Sequence, residues 1–498
     1  MCCPKEGGGS QEGGVSLSQT TPKSQETLMD GEGVTVDASS TSRSRFSSKR
    51  NVLTLAAFFA VLASLFAFVA PYPVSFYAVR TIHELIILKV KAVGWPDWMD
   101  GRQNEEMSWE FRSLAAMLFW HNEKDLSYNH PKGVDLMRAE VDRMATLAPL
   151  HKQAKVQLVD ADGSPAALID VSGAAQPSQN LREGTLVYFH GGGYSMGSMN
   201  AYLGIGTEMA LSLGLTRALV VEYPRLPEAG ALPDVIDAAF ASYLWLLKKL
   251  EETGSSQGGK IVFAGDSAGG ALCLYVMQHA QAHSAATGPS VRLPDAAVLL
   301  SPWVWPGAHS TAPSLLKFRE SDAFCRPRVS EWIMTLFVQS NKELMREEHR
   351  EEEREGGEKK EISAHFPQLA GGLQRFNLLA AAAEGRLGAD LPPMFVSVGG
   401  GELLLDMGVE FARLLEIPSV PPSVYNQSVT PPPFEEQVAP CVEAAGRAGE
   451  GKRAGDCLSV VPHMPHIFQC FPAFAKEARG EHARIGAWFR SLDVEKKN

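Results

Sequence analysis

One stretch constrains this chain more than any other. Lys260-Ile261-Val262-Phe263-Ala264-Gly265 runs straight into Asp266-Ser267-Ala268-Gly269-Gly270 and on into Ala271-Leu272-Cys273-Leu274-Tyr275-Val276-Met277. The first part has the apolar, β-branched make-up of a buried strand, and the last reads as a helix. Between them a serine must sit on a sharp strand-to-helix turn, with Gly265 and Gly269 letting the backbone pass close by. The helix N-terminus then directs its dipole at that serine and favours developing negative charge there. In a chain with 45 glycines the G-x-S-x-G spacing alone says little. Its place between a strand and a helix gives it weight and marks Ser267 as a candidate nucleophile.

A second glycine-rich turn, His190-Gly191-Gly192-Gly193-Tyr194, follows the apolar run TLVYF (185–189) upstream. Attack on an acyl carbonyl passes through a tetrahedral oxyanion. Backbone N–H groups must already point at it, and glycines let the chain approach closely enough. Further runs, ALVVEY (218–223), AAVLLS (296–301) and MFVSVG (394–399), alternate with helical stretches. That alternation predicts an α/β fold: a mostly parallel sheet with helices on both faces. A nucleophile of this kind needs an acid and then a histidine further along the chain. After MFVSVG, Glu402 stands at the strand's C-terminal end, where reactive groups gather in open sheets, and Asp406 is the alternative acid. Late in the chain, VPHMPHIFQCF offers His463 and His466.

Together HGGGY, GDSAGG, SPWVW (301–305) and MPHIFQ resemble the hormone-sensitive-lipase family of α/β-hydrolases, over roughly residues 150–490. Microsomal arylacetamide deacetylases and fungal sterol deacetylases, both membrane-anchored, are the members closest in plan. The resemblance implies an α/β-hydrolase fold with a helical cap and a Ser267–His466–Glu402 triad. It also implies oxyanion donors at the N–H groups of Gly191, Gly192 and Ala268, supported by His190, Gly193, Gly265, Asp266 and Gly269. His190 braces the glycine loop in this reading. No metal or organic cofactor is implied. The activity implied is hydrolysis of lipophilic esters, acetyl or short-acyl, sterol or lipid esters among them. Two alternatives stay open: an amidase with the same triad, and a non-catalytic binding protein like the plant gibberellin receptors, which resemble the family but lose the triad histidine. The chain departs from the family in reading Tyr223-Pro224-Arg225-Leu226-Pro227-Glu228 for the usual Tyr-Arg-Leu-Ala-Pro-Glu, and in using Glu as the acid.

The ends and insertions suggest the domain plan. Residues 1–50, polar and without apolar periodicity, are expected to be disordered. Residues 51–79 lack any charge, and 52–69 are almost wholly apolar. Eighteen apolar residues reach the lower limit for a bilayer span, so a transmembrane helix with membrane lipid as its partner is expected. Residues 80–150 read as juxtamembrane or cap helices and 151–498 as the catalytic domain. A charged insertion lies near 342–361 and a Pro/Gly-rich one near 418–455. The flanking basic residues, together with the resemblance, predict a lumenal catalytic domain in the endoplasmic reticulum. The sequon at Asn426 and a possible Cys441–Cys457 pair fit that side, and Cys2 and Cys3 are candidates for lipidation. A net charge of −11 without a basic stripe argues against nucleic acid as a partner.

Overall fold

The computed structural model describes residues 133–145, 148–306 apart from 178, 255–258 and 289, 312–355 apart from 320 and 326, 374–420 apart from 388 and 389, and 455–495 apart from 474, with Ser108, Phe111, Val438, Ala439 and Cys441. At the centre is an eight-stranded sheet: β1 (Lys155–Ala161), β2 (Ser164–Asp170), β3 (Arg182–Phe189), β4 (Leu215–Val221), β5 (Lys260–Asp266), β6 (Ala296–Leu300), β7 (Met394–Gly399) and β8 (Cys457–Val461). Their spatial order is β1-β2-β4-β3-β5-β6-β7-β8. From β4 to β8 every pairing is parallel, whereas β1 and β2 run antiparallel to each other and β2 to β4. The sheet is therefore mixed. The antiparallel edge comes from a tight hairpin at Asp162-Gly163, both at positive φ (59° and 86°). Asp-Gly is the residue pair such a turn selects, because its backbone twist matches that of the strands it joins.

Both faces of the parallel strands are covered, and the period of two assigns their side chains. On β5, Ile261 and Phe263 enter one core with α3 (Leu232–Glu252) and α4 (Ala268–Thr287), while Val262 and Ala264 enter the other with α2 (Met199–Leu213) and α9 (Lys476–Glu495). The β3 residues divide likewise, Val187 and Phe189 against Leu186 and Tyr188. Helix starts carry their own signals. Ser198 Oγ accepts from Ala201 N at the head of α2, and Gly214, at φ 70°, closes it in the left-handed conformation.

Between β6 and β7 the chain leaves the sheet to form α5 (Pro313–Phe318), α6 (Pro327–Glu355) and α7 (Leu378–Ala383). Helix α6, with α1 (Gly133–Ala145), makes the helical cap: Met137 of α1 and Val329 of α6 pack with Met196 of the glycine-rich loop. Residues 342–355 of the charged insertion are the C-terminal half of α6. After β7 comes α8 (Leu405–Leu414). A disulfide joins Cys441 to Cys457 at the start of β8, with Cα atoms 5.3 Å apart.

The fold expected from the sequence is corrected at its N-terminal end. Among the described residues no helix is long and apolar enough to cross a membrane, and residues 51–79 lie outside them. A membrane anchor, membrane lipid as a partner, and an endoplasmic-reticulum location with a lumenal domain all rested on that run. They are not carried forward. Residues 1–50 and most of 418–455 also lie outside the described set.

Candidate active site

Strands β3, β5, β7 and β8 all end at the same edge of the sheet, and each hands over to one of the groups singled out by sequence: the glycine-rich loop, Ser267, the Glu402 loop and the His466 loop. Crevices at the carboxyl ends of parallel strands are where open α/β sheets place their reactive groups.

Ser267 sits at φ 53°, ψ −119°, a conformation that costs a non-glycine residue energy. Its backbone is held there from both sides. Ser267 N donates to Leu300 O (2.8 Å) and Trp303 N donates to Ser267 O (2.9 Å). The turn also needs two elements to touch: a Cβ on Gly269 would lie 2.0 Å from Phe189 O, so only glycine fits. Though Ser267 heads α4, its side chain makes no capping bond. Its Oγ instead lies 2.9 Å from Nε2 of His466.

His466 belongs to the loop after β8 and is buried. On its other side Nδ1 faces Oε1 of Glu402 at 3.7 Å. That is longer than a hydrogen bond, and neither atom has another partner. Glu402, wholly buried, is oriented through its second oxygen, which accepts from Ser301 Oγ (2.6 Å) and Gly399 N (2.8 Å). The alternative acid, Asp406, has other partners: it accepts from Ser314 N of α5 (2.5 Å), while Ser314 Oγ donates to Leu403 O (2.7 Å). His463 is three residues earlier, and its ring is not the one that meets Ser267.

The electrostatics favour a histidine ready to take a proton. Burial pulls the His466 imidazole down, but the carboxylates of Glu402, Asp322 and Asp266 pull it up further, and its pKa ends above the ordinary 6.5. His190 differs. Burial lowers it to about 4, so it stays neutral. Its Nδ1 lies 2.8 Å from Gly191 O, and its ring stacks on Tyr223 at 4.2 Å.

The glycine-rich loop divides its N–H groups. Gly191 N donates to Asp266 Oδ1 (3.0 Å) and is not available to a substrate oxygen. Asp266 also accepts from Tyr188 and Tyr202, and burial raises its pKa to about 6. Among the described residues the N–H groups of Gly192, Gly193 and Ala268 have no acceptor. Three residues outside the motif hold the loop. Tyr223 Oη donates to His190 O (2.5 Å), Arg225 Nη1 to Gly197 O (2.5 Å), and Arg138 Nε to Ser195 O (2.8 Å). Tyr223 and Arg225 belong to the string Tyr223-Pro224-Arg225-Leu226-Pro227-Glu228, whose family-like lettering was the available signal. Ser301 opens SPWVW in the same way. Asp322, buried beside Glu402 and His466, had no signal at all.

Apolar side chains close one side. Tyr194 stacks on Trp303 at 5.7 Å, Phe337 of the cap meets Trp303 edge-on at 5.5 Å, and Ile333 of the cap lies over Gly193. A cleft of about 500 Å³ lined by Arg138, Glu222, Arg225 and Glu228 lies elsewhere; none of Ser267, Glu402 or His466 lines it.

Comparison with known proteins agrees with this fold. Residues 186–426 match the family model described as the alpha/beta hydrolase fold. A Mycobacterium tuberculosis protein named as an acetyl-hydrolase, LipR, is 33% identical over 163 residues, 32% of this chain and 47% of that protein, so the match spans about half the relative's length. Esterase LipI of the same organism is 26% identical over 302 residues, covering 59% of this chain and 79% of its own. Among solved structures, an esterase from the bacterial hormone-sensitive lipase family superimposes with a TM-score of 0.50 at 26% identity, covering 77% of this chain and 98% of its own. The expected likeness is thereby corrected in plan. These three proteins are bacterial, and the closer likeness to membrane-anchored deacetylases rested, beyond shared motifs, on the N-terminal apolar run. In its fold and over these matched lengths, the chain is similar to carboxylic ester hydrolases, the esterases and lipases built on the α/β-hydrolase fold.

Proposed function

We propose that the protein is a serine carboxylic-ester hydrolase acting on lipophilic short-acyl esters, with Ser267 as nucleophile, His466 as general base and Glu402 as the acid. The observation that carries this reading is the 2.9 Å approach of Ser267 Oγ to His466 Nε2 by a serine that forgoes capping its own helix. His466 takes the hydroxyl proton at Nε2 as Oγ attacks the ester carbonyl. The imidazolium so formed carries its second proton on Nδ1, facing Glu402 Oε1 across 3.7 Å. Closure of that gap by about 0.8–1 Å as charge develops, to the roughly 2.7–2.9 Å of such bonds, would make it a charge-assisted hydrogen bond. The oxyanion is received by the N–H groups of Gly192, Gly193 and Ala268 at the head of α4. Gly191, expected among the donors, instead secures the loop to Asp266. His466 then protonates the leaving alcohol, and water releases the acyl group by the reverse sequence.

The substrate class rests on the Tyr194–Trp303–Phe337 aromatic wall, with Ile333 over Gly193, and on the acetyl-hydrolase name of the LipR relative. For the test, p-nitrophenyl esters of graded acyl length are assayed with the wild type and Ser267→Ala. The reading predicts hydrolysis that favours short chains and falls by at least ~10³-fold in the variant. Ester turnover that survives the substitution would remove Ser267 from the role.

A further inference from the structure

Beside the triad stands a third buried carboxylate that the mechanism does not use. Asp322 has no exposed surface and lies in the short connection between α5 and the cap helix α6. Its partners are all backbone donors. Oδ2 accepts from Leu403 N (3.0 Å), next to the acid Glu402. Oδ1 accepts from Phe324 N (3.1 Å) and Cys325 N (3.3 Å) at the approach to α6. Both oxygens lie 3.4 Å from the N–H of His466 itself. A group surrounded only by donors is built to be held as the carboxylate, since a protonated oxygen would face an N–H. Among the described residues no lysine or arginine pairs with it.

Resting on the proposed triad, we infer that Asp322 is a positioning residue for ester hydrolysis, fastening the acid loop and the histidine loop to each other and to the cap while its fixed negative charge favours the imidazolium. The three connections belong to separate pieces of chain. The acid loop follows β7, the histidine loop follows β8, and Asp322 sits at the root of the cap. The same root is laced to the acid loop a second time through Ser314, Leu403 and Asp406. With Glu402 and His466 3.7 Å apart, a small relative shift of their loops decides whether Nδ1 reaches its acceptor. The charged groups facing His466 are Glu402 from the loop after β7, Asp322 from the cap root and Asp266 from the end of β5. All are acidic, so removing one weakens the pull toward the protonated ring.

The test compares wild type, Asp322→Asn and Asp322→Ser across pH with a p-nitrophenyl ester, alongside thermal unfolding. Asn keeps the shape and one acceptor without the charge; Ser keeps one acceptor in less space and is read in the same way should Asn not be accommodated. The expected result is a kcat lower by about tenfold, the order a sub-ångström misplacement produces, with KM unchanged. The acid limb of the rate profile moves to lower pH, because the imidazolium loses a favourable neighbour. An unmoved acid limb, an unchanged kcat, or failure of both variants to fold would each overturn the inference and leave Asp322 a structural residue. An inactive wild type with Ser267 unlabelled by a fluorophosphonate would count against the proposed triad instead.

Discussion

A serine at the head of a helix ordinarily turns its hydroxyl back onto the helix N–H groups and stabilises it by about 1 kcal/mol. Ser267 gives that up, adopts a strained backbone and directs Oγ at His466. The surrounding contacts that hold it there are intolerant of added atoms. Gly269→Ala would drive a methyl against the carbonyls of Phe189 and His190, 2.0 and 2.6 Å away. It should abolish ester hydrolysis and lower the unfolding temperature, and a variant with normal turnover would show that the elbow can relax. At the acid, Glu402→Gln should lower kcat by ~10³-fold or more, since the amide cannot stabilise the imidazolium. Asp406→Asn should instead act on stability, through its bond to Ser314. Kinetics ranking the two the other way would transfer the role to Asp406. The pH dependence follows from His466. Its pKa stands above 6.5, so kcat/KM should fall as pH drops through a midpoint above 6.5. A midpoint below 6.5 would mean that burial outweighs the carboxylates around the ring.

Among the elements, α9 supports the site from behind. Glu481 and Arg484 are wholly buried and paired at 2.6 Å. Glu481 accepts from Ser397 Oγ of β7, and Arg484 donates to Ser459 Oγ of β8, so one helix grips the two strands that carry the acid and histidine loops. Gln469, just past His466, joins the network through Ser397. Glu481→Ala leaves a buried guanidinium without its counter-charge and should cost about 3–5 kcal/mol. Denaturant unfolding measures this, and a loss below about 1 kcal/mol would mean that water or relaxation compensates Arg484. Little of this network was legible in the sequence. Its residues come from four separate segments, and buried polar pairs carry no periodicity. The parallel strands and the motif loops were legible because apolar runs and glycine turns are local signals. The β1–β2 hairpin had a local signal too, Asp162-Gly163, that the strand alternation overshadowed.

Across the whole molecule, the triad candidates lie 199 residues apart between Ser267 and His466, and they meet only because the parallel sheet brings successive strand ends to one edge. Chain order and motif placement made Ser267 and the glycine loop readable. Glu402 was preferred to Asp406 for its place at the end of a strand, a choice the resemblance repeated, whereas choosing His466 over His463 required the resemblance. Gly191 illustrates a physical limit: a motif gives the number of N–H groups in a loop, not which of them donates to a buried carboxylate. The expected membrane span shows the same limit, since apolar length alone does not distinguish a bilayer span from other uses of an apolar run. The measurement that bears most directly on the central claim is reaction of the purified full-length protein with a fluorophosphonate, followed by peptide mass spectrometry and a parallel ester assay. The account predicts one adduct per chain, on Ser267, with activity lost in proportion to labelling and neither seen in Ser267→Ala. An unlabelled Ser267, or full labelling elsewhere with ester hydrolysis intact, would contradict it.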